Sequence, residues 1–293
     1  MPDLSRLAPP LFVVLWSSAF VGAKFGLPDA EPLSFMFVRF VLVAAVFVGL
    51  AWIRNAPWPV TWTETMHIAT VGTLVHAVYL SGVFIAISRG LPAGLAALIV
   101  GLQPILTAFL AGRLLGEQLG SRQWFGLALG LAGVALVVHD HARAGIMDPV
   151  AIGSCVVSLI AISAGTVHQK RFCTDMNLIT GSAIQAITAC ALTGIGAWLF
   201  ESFRITWSLE FTLSWLWLSL VVSLGAFSLL MVMIRRGEAV KVASLFYLTP
   251  PTAALLAWMF FGERLDLLGL VGFAVAVIGV ALVVRRPAAL PAA

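Results

Sequence analysis

Gly133-Val134-Ala135-Leu136-Val137-Val138 occurs a second time as Gly279-Val280-Ala281-Leu282-Val283-Val284, 146 residues further on. A single repeated hexapeptide is weak evidence, but the offset holds elsewhere. Gly116-Glu117 matches Gly262-Glu263, Pro104 matches Pro250, Gly126 matches Gly272 and Lys24 matches Lys170. Arg89-Gly90 matches Arg236-Gly237 one residue out of step. An ordered series of this kind marks a duplicated unit, and the chain divides into residues 1–145 and 146–293.

Composition says what the unit is made of. Of the 293 residues, 61% are hydrophobic and 10% charged, and the mean hydropathy is +1.04. Soluble domains carry about 25% charged residues, and a soluble protein with this little charge would expose a large apolar surface and aggregate. Three cysteines, Cys155, Cys173 and Cys190, make no disulfide framework. A polytopic membrane protein remains. Ten apolar runs are read at 7–25, 34–52, 66–88, 92–112, 121–139, 149–170, 179–200, 211–235, 240–260 and 266–284. Each is near the ~20 residues that cross a bilayer as a helix, and too long and too uniformly apolar for a barrel strand.

Basic residues near the run ends set the orientation. With the N-terminus inside, the inner side carries Arg6, Arg54, Arg113, Arg122, Lys170, Arg171, Arg235, Arg236, Lys241, Arg285 and Arg286. The outer side carries Lys24, Arg89, Arg143, Arg204 and Arg264. Both termini are therefore expected to be cytoplasmic, and the net charge of +4 reads as a topology signal with no nucleic-acid partner implied. The start resembles a signal peptide with a weak cleavage site at Val21-Gly22-Ala23, but the repeat makes this run a retained helix. Five runs per unit is an odd number, so the second unit enters the membrane from the opposite side. The expected fold is all-α and integral to the membrane: ten transmembrane helices as two inverted-topology five-helix repeats around a central cavity. Such repeats suit alternating access to a midplane site.

The same residues resemble the EamA family of the drug/metabolite transporter superfamily. The resemblance rests on Trp16-Ser17-Ser18-Ala19-Phe20 ending at Lys24, on Arg39-Phe40, and on the Pro104 and Pro250 helices leading to Gly116-Glu117 and Gly262-Glu263. Each half closes on Gly-Val-Ala-Leu-Val-Val. Within the family the chain is most similar to the YddG-type exporters of aromatic amino acids. The resemblance implies a cavity lined by helices 1, 3, 4, 6, 8 and 9, and export across a bacterial inner membrane.

The acidic residues narrow the solute. All 13 sit in loops or at run ends, so no buried carboxylate is available to exchange a lipophilic cation for a proton. No mid-run cluster of Lys and Arg suits an organic phosphate. The expected substrate is a neutral or zwitterionic small molecule.

Candidate contacts follow from position. His76 and Tyr79 lie three apart near the middle of the third run and share a helix face, while their repeat counterparts are Val222 and Gly225. The histidine reads either as a hydrogen bond between helices or as cavity lining. Gln103 and Thr107 flank Pro104, and Tyr247, Pro251, Ala254 and Trp258 form one stripe in the ninth run. Trp16, with Phe20 and Ser17, represents the first run, Ser163 the sixth and Phe227 the eighth. A proline frees a carbonyl one turn earlier, so Pro104 and Pro250 at equivalent midplane positions point to the site. Lys24 and Lys170 occupy equivalent helix ends and read as interface anchors or gating contacts. Arg39 reads as snorkelling to headgroups, as a partner of Asp29 or Glu31, or as a substrate contact. Gly126, Gly130 and Gly133, with Gly269, Gly272, Ala276 and Gly279, read as faces for close helix packing.

The function expected is a secondary transporter exporting amino acids, aromatic or otherwise neutral, and related metabolites. No enzyme activity, cofactor or metal ion is expected, and a monomer suffices because both halves are in one chain. A proton-coupled multidrug or metabolite efflux transporter is the main alternative, with an intramembrane enzyme behind it.

Overall fold

The computed structural model describes residues 4–115, 120–143, 148–226, 245–264 and 266–284, together with 229 and 233. Among the described residues there are helices and no strand, only one isolated bridge between Ala30 and Ile205. The helices are α1 (Leu4–Gly26), α2 (Pro32–Ile53), α3 (Trp62–Ser88), α4 (Ala93–Val100 and Gln103–Leu115), α5 (Ser121–Arg143), α6 (Pro149–Phe172) and α7 (Leu178–Phe200). They continue with α8 (Leu209–Ala226), α9 (Thr249–Phe261) and α10 (Leu267–Val284). Eight of them, α1 to α8, are long and apolar enough to cross a membrane. The ninth expected run is described only from residue 245, and α10 is apolar but shorter.

Local chemistry explains the boundaries. Side chains of Thr61, Asp148, Asn177 and Ser208 accept the first backbone N–H groups of α3, α6, α7 and α8, which have no partner within the helix. Gly262, at φ +67°, ends α9 in the left-handed conformation that glycine adopts without strain. Its equivalent, Gly116, lies outside the described residues.

The irregular turns also obey the 146 offset. α3 widens into a π-helix over Gly72–Val78, and α8 does the same over Trp217–Ala226, which spans the equivalent positions. α4 breaks at Gly101 and Leu102, and α9 is preceded by a tight 3₁₀ turn at Phe246–Leu248, equivalent to residues 100–102. Each break stands just before the equivalent prolines Pro104 and Pro250.

α5 and α10 pack through their small residues. A Cβ on Gly133 would lie 2.5 Å from the Gly272 carbonyl oxygen, and one on Gly279 would lie 2.7 Å from that of Gly126. Gly133 matches Gly279 and Gly126 matches Gly272, so the contact is reciprocal, as across a two-fold axis. The order of the contacts makes the pair antiparallel.

One end of the bundle gathers several polar ties. Glu201, closing α7, accepts the Leu33 and Ser34 N–H groups at the start of α2. Asp29 accepts the Ser208 hydroxyl, and Glu31 accepts the Ser202 and Arg204 N–H groups. Arg89, after α3, bonds Asp148, before α6, at 2.8 Å. At this end α1, α3, α7 and α9 finish while α2, α4, α6 and α8 begin.

Candidate functional site

The two broken helices meet. A Cβ on Gly101 would lie 2.6 Å from Cγ of Pro250, so only glycine lets the break in α4 sit against α9. Beside this junction is a narrow cleft, partly open to solvent, whose free interior is ≈ 30 Å³. Ligand pockets range from ~300 to 1,000 Å³, so in this state the cleft has room for little more than water. Its walls are Trp16 and Phe20 from α1, Tyr79 from α3, Ala97, Val100, Gly101, Gln103 and Pro104 from α4, Ile162 from α6, and Phe246 and Thr249 at the head of α9. Every one of these is uncharged.

The lining is built of aromatic rings and hydroxyls. Trp16 meets Phe246 edge to face with centroids 5.4 Å apart, and Phe12 supports both rings at the same spacing. Ser17, fully buried, donates to the Thr249 carbonyl at 3.1 Å and fixes α1 to the start of α9. Gln103 donates to Thr166 at 3.2 Å. The hydroxyls of Thr249, Thr107 and Ser163 are buried without a hydrogen-bond partner. An unpartnered buried hydroxyl costs about 1–3 kcal/mol; of the three residues, Thr249 lines the cavity.

Trp16, Tyr79, Gln103 and Pro104 thus share one cavity, Ser17 and Pro250 brace it, and Ser163 follows Ile162 of its wall. Trp258 is not in it: 51% exposed, it lies off the buried stripe of α9, which runs through Thr249, Pro250, Ala253 and Ala257. The 3₁₀ turn before α9 shifts the register that an uninterrupted helix from Tyr247 would have. Phe227 and the side chain of Tyr247 lie outside the described residues. Phe246 and Thr249 were not singled out by the sequence; their nearness to Pro250 was the available signal.

His76 and Tyr79 both lie within electrostatic reach of Arg39, but only Tyr79 is in the cavity wall. His76 lies in the π-helical turn, where its Nε2 is 3.1 Å from Oε1 of Gln185 on α7, and its ring packs edge-on to Phe40 of α2. Tyr79, after the widened turn, faces the cavity. Arg39 neither snorkels nor pairs with Asp29 or Glu31, whose oxygens are engaged elsewhere. It is 4% exposed and donates from Nη2 to the Ser223 hydroxyl on α8 at 3.1 Å.

Lys24 and Glu263 form an ion pair at 2.5 Å. Glu263 also accepts the Ala93 and Gly94 N–H groups, the unpaired donors at the start of α4. The Lys24 ammonium lies 4.7 Å from the Phe261 ring centroid. Three helix ends, of α1, α4 and α9, are tied at this point. Lys170, at the end of α6, is exposed, and its sequence-equivalent partner Glu117 lies outside the described residues.

A bundle of apolar helices, two of them broken beside an uncharged cavity, is the architecture of a membrane transporter. Comparison with known proteins makes the class specific. The model of the EamA-like transporter family matches residues 10–139 and again 150–285, and the chain belongs to that family. It is 28% identical over 284 residues to the uncharacterized transporter YvbV of Bacillus subtilis (strain 168), covering 96% of this chain and 92% of that one. A probable amino-acid metabolite efflux pump of Escherichia coli (strain K12) is 26% identical, with 89% of this chain and 88% of the pump covered. A probable terminal-alkyne amino-acid exporter of Streptantibioticus cattleyicolor is 29% identical, with 94% of this chain and 92% of the exporter covered. A crystal structure with 20% identity superposes with a TM-score of 0.65 over 98% of this chain and 100% of that chain, which bears on the fold alone.

Proposed function

We propose that this transporter exports neutral or zwitterionic amino acids and related small metabolites across a bacterial inner membrane. The observation that carries the reading is the cleft at the α4–α9 junction, walled by aromatic rings and hydroxyls with no charged group among the described residues of its lining. When the cleft widens, an aromatic or aliphatic side chain is held there by burial against Trp16, Phe20 and Phe246. The polar end of the solute takes up Gln103, Tyr79 and the unpartnered hydroxyl of Thr249, with Ser163, next to Ile162 of the wall, joining them on opening. The relatives named for amino-acid efflux or export support the same reading.

The two halves, 1–145 and 146–293, act as inverted repeats of five membrane-spanning helices with both termini cytoplasmic. The antiparallel, reciprocal packing of α5 on α10 supports this, as does α6 beginning at the end where its equivalent α1 finishes. Lys24–Glu263 then closes the outer end of the pathway.

The test is uptake by purified protein in liposomes, using labelled phenylalanine, threonine and a lipophilic cation, with and without a pH gradient. Amino-acid flux that needs no gradient is expected. Proton-driven flux of the cation, without amino-acid flux, overturns the reading in favour of multidrug efflux.

A further inference from the structure

The guanidinium of Arg39 has five N–H donors and no acceptor of its own. Among the described residues it makes a single hydrogen bond, to Ser223, and its Nε is buried with no partner. No carboxylate among the described residues lies within ion-pair distance of it. Arg39 belongs to the first turns of α2, which begins at Pro32, yet its side chain turns inward and the residue is 4% exposed. Its surroundings are uncharged and polar. The Tyr79 and His76 side chains lie within electrostatic reach of it, and Gln185 holds His76. The Ser219 hydroxyl, one turn before Ser223, is fully buried and unpartnered.

A buried cation inside a membrane protein is costly and is ordinarily paired. Here the described residues supply no counter-charge, while Tyr79 connects this cluster to the cavity wall. We infer that the counter-charge arrives with the solute: Arg39, positioned by the Ser223 hydroxyl, which itself donates to the Leu218 carbonyl, and assisted by the hydroxyl of Tyr79, receives the α-carboxylate of the transported amino acid. The planar fork of arginine matches a carboxylate with two parallel hydrogen bonds. The inference rests on the amino-acid reading above and sharpens it. The site takes a solute with a free carboxylate and rejects its amide, its decarboxylated amine and organic cations.

The experiment has a flux arm and a binding arm. In liposomes, labelled phenylalanine is competed with 3-phenylpropionate, phenylalaninamide or 2-phenylethylamine. In detergent, the same compounds are tested for thermal stabilisation, which requires no transport. For the wild type, the carboxylates compete and stabilise, and the amide and amine do not. In R39Q, the preference for phenylalanine over phenylalaninamide falls by about 10-fold to 100-fold, the loss expected for a charge-assisted hydrogen bond, and R39K recovers part of it. Y79F, which leaves the guanidinium in place, shifts the preference in the same direction by less and keeps the test open if R39Q does not fold. A wild type that treats acid and amide alike in both arms, or an R39Q that keeps the wild-type preference at whatever rate, overturns the inference. Carboxylate-selective stabilisation without amino-acid flux overturns the transport reading and leaves the Arg39 site standing.

Discussion

Trp16 lines the cavity, and its ring leans on both Phe12 and Phe246. Removing it opens the wall and withdraws stacking area. W16A is expected to raise the KM for phenylalanine about tenfold, equivalent to ~1.4 kcal/mol, and the KM for threonine much less; concentration-dependent uptake in liposomes distinguishes the two. Several of these contacts were legible in the sequence. Pro104 and Pro250 marked the junction through the backbone hydrogen bonds they cannot make, and Gln103, Tyr79 and Trp16 followed from their neighbourhood. Trp258 and His76, both expected at the solute, are not in the cavity wall among the described residues. Both readings assumed 3.6 residues per turn, whereas a 3₁₀ turn precedes α9 and a π-helical turn contains His76. Single-sequence periodicity carries no sign of such a change of pitch. The Lys24–Glu263 pair was within reach, since Lys24/Lys170 and Glu117/Glu263 obey the same offset, but spacing alone does not say which ends touch.

At the scale of elements, α5 and α10 hold the two halves together by backbone proximity. G133A introduces a methyl group 2.5 Å from the Gly272 carbonyl oxygen, whereas a methyl group at Gly153 of α6 meets nothing within 4 Å. Overpacking of this kind costs ~1–3 kcal/mol, so G133A is expected to lower the melting temperature in detergent and G153A to leave it within error. α3 and α6 are joined differently, through Arg89 and Asp148. The hydrogen bond from the Arg89 guanidinium, aided by the Val150 N–H, holds the Asp148 carboxyl below its ordinary value. A carboxyl lowered on folding stabilises above its unfolded pKa, ~3.9 for aspartate, and loses that contribution as pH falls through the lowered value. The difference in melting temperature between wild type and D148N should therefore be full at pH 6 and close as the pH is taken below 4. Because asparagine keeps the Oδ1 that caps α6, a difference that persists in acid would contradict the assignment to the Asp148 charge. The sequence made these helices legible by length and apolarity, and the small-residue faces of α5 and α10 by spacing. It did not show Gln185 behind His76 or Glu201 capping α2, because those contacts join segments far apart in the chain.

For the whole molecule, two halves of one design meet at a reciprocal antiparallel contact, and the irregular turns of one recur in the other. On the proposed alternating-access reading, two half-structures of near-equal energy exchange shapes about the cavity, and the balance between the shapes is set at the helix ends. Lys24 and Glu263 have side chains 33% and 15% exposed, so their pairing is screened only in part and is worth ~1–2 kcal/mol, a 5- to 30-fold shift in population. K24Q should raise the reactivity of a cysteine placed at Phe20 toward an impermeant thiol reagent added outside, and the exchanged pair K24E/E263K should restore it. Unchanged reactivity in K24Q would remove the pair from gating. The alternation itself is tested most directly by tethering that end: a K24C/E263C variant, with Cys155, Cys173 and Cys190 replaced by alanine, is joined by a cleavable bis-thiol linker in liposomes while labelled phenylalanine uptake is followed. The account predicts uptake before linking, its arrest on linking and its return on cleavage; uptake that continues with the outer end tethered would contradict it.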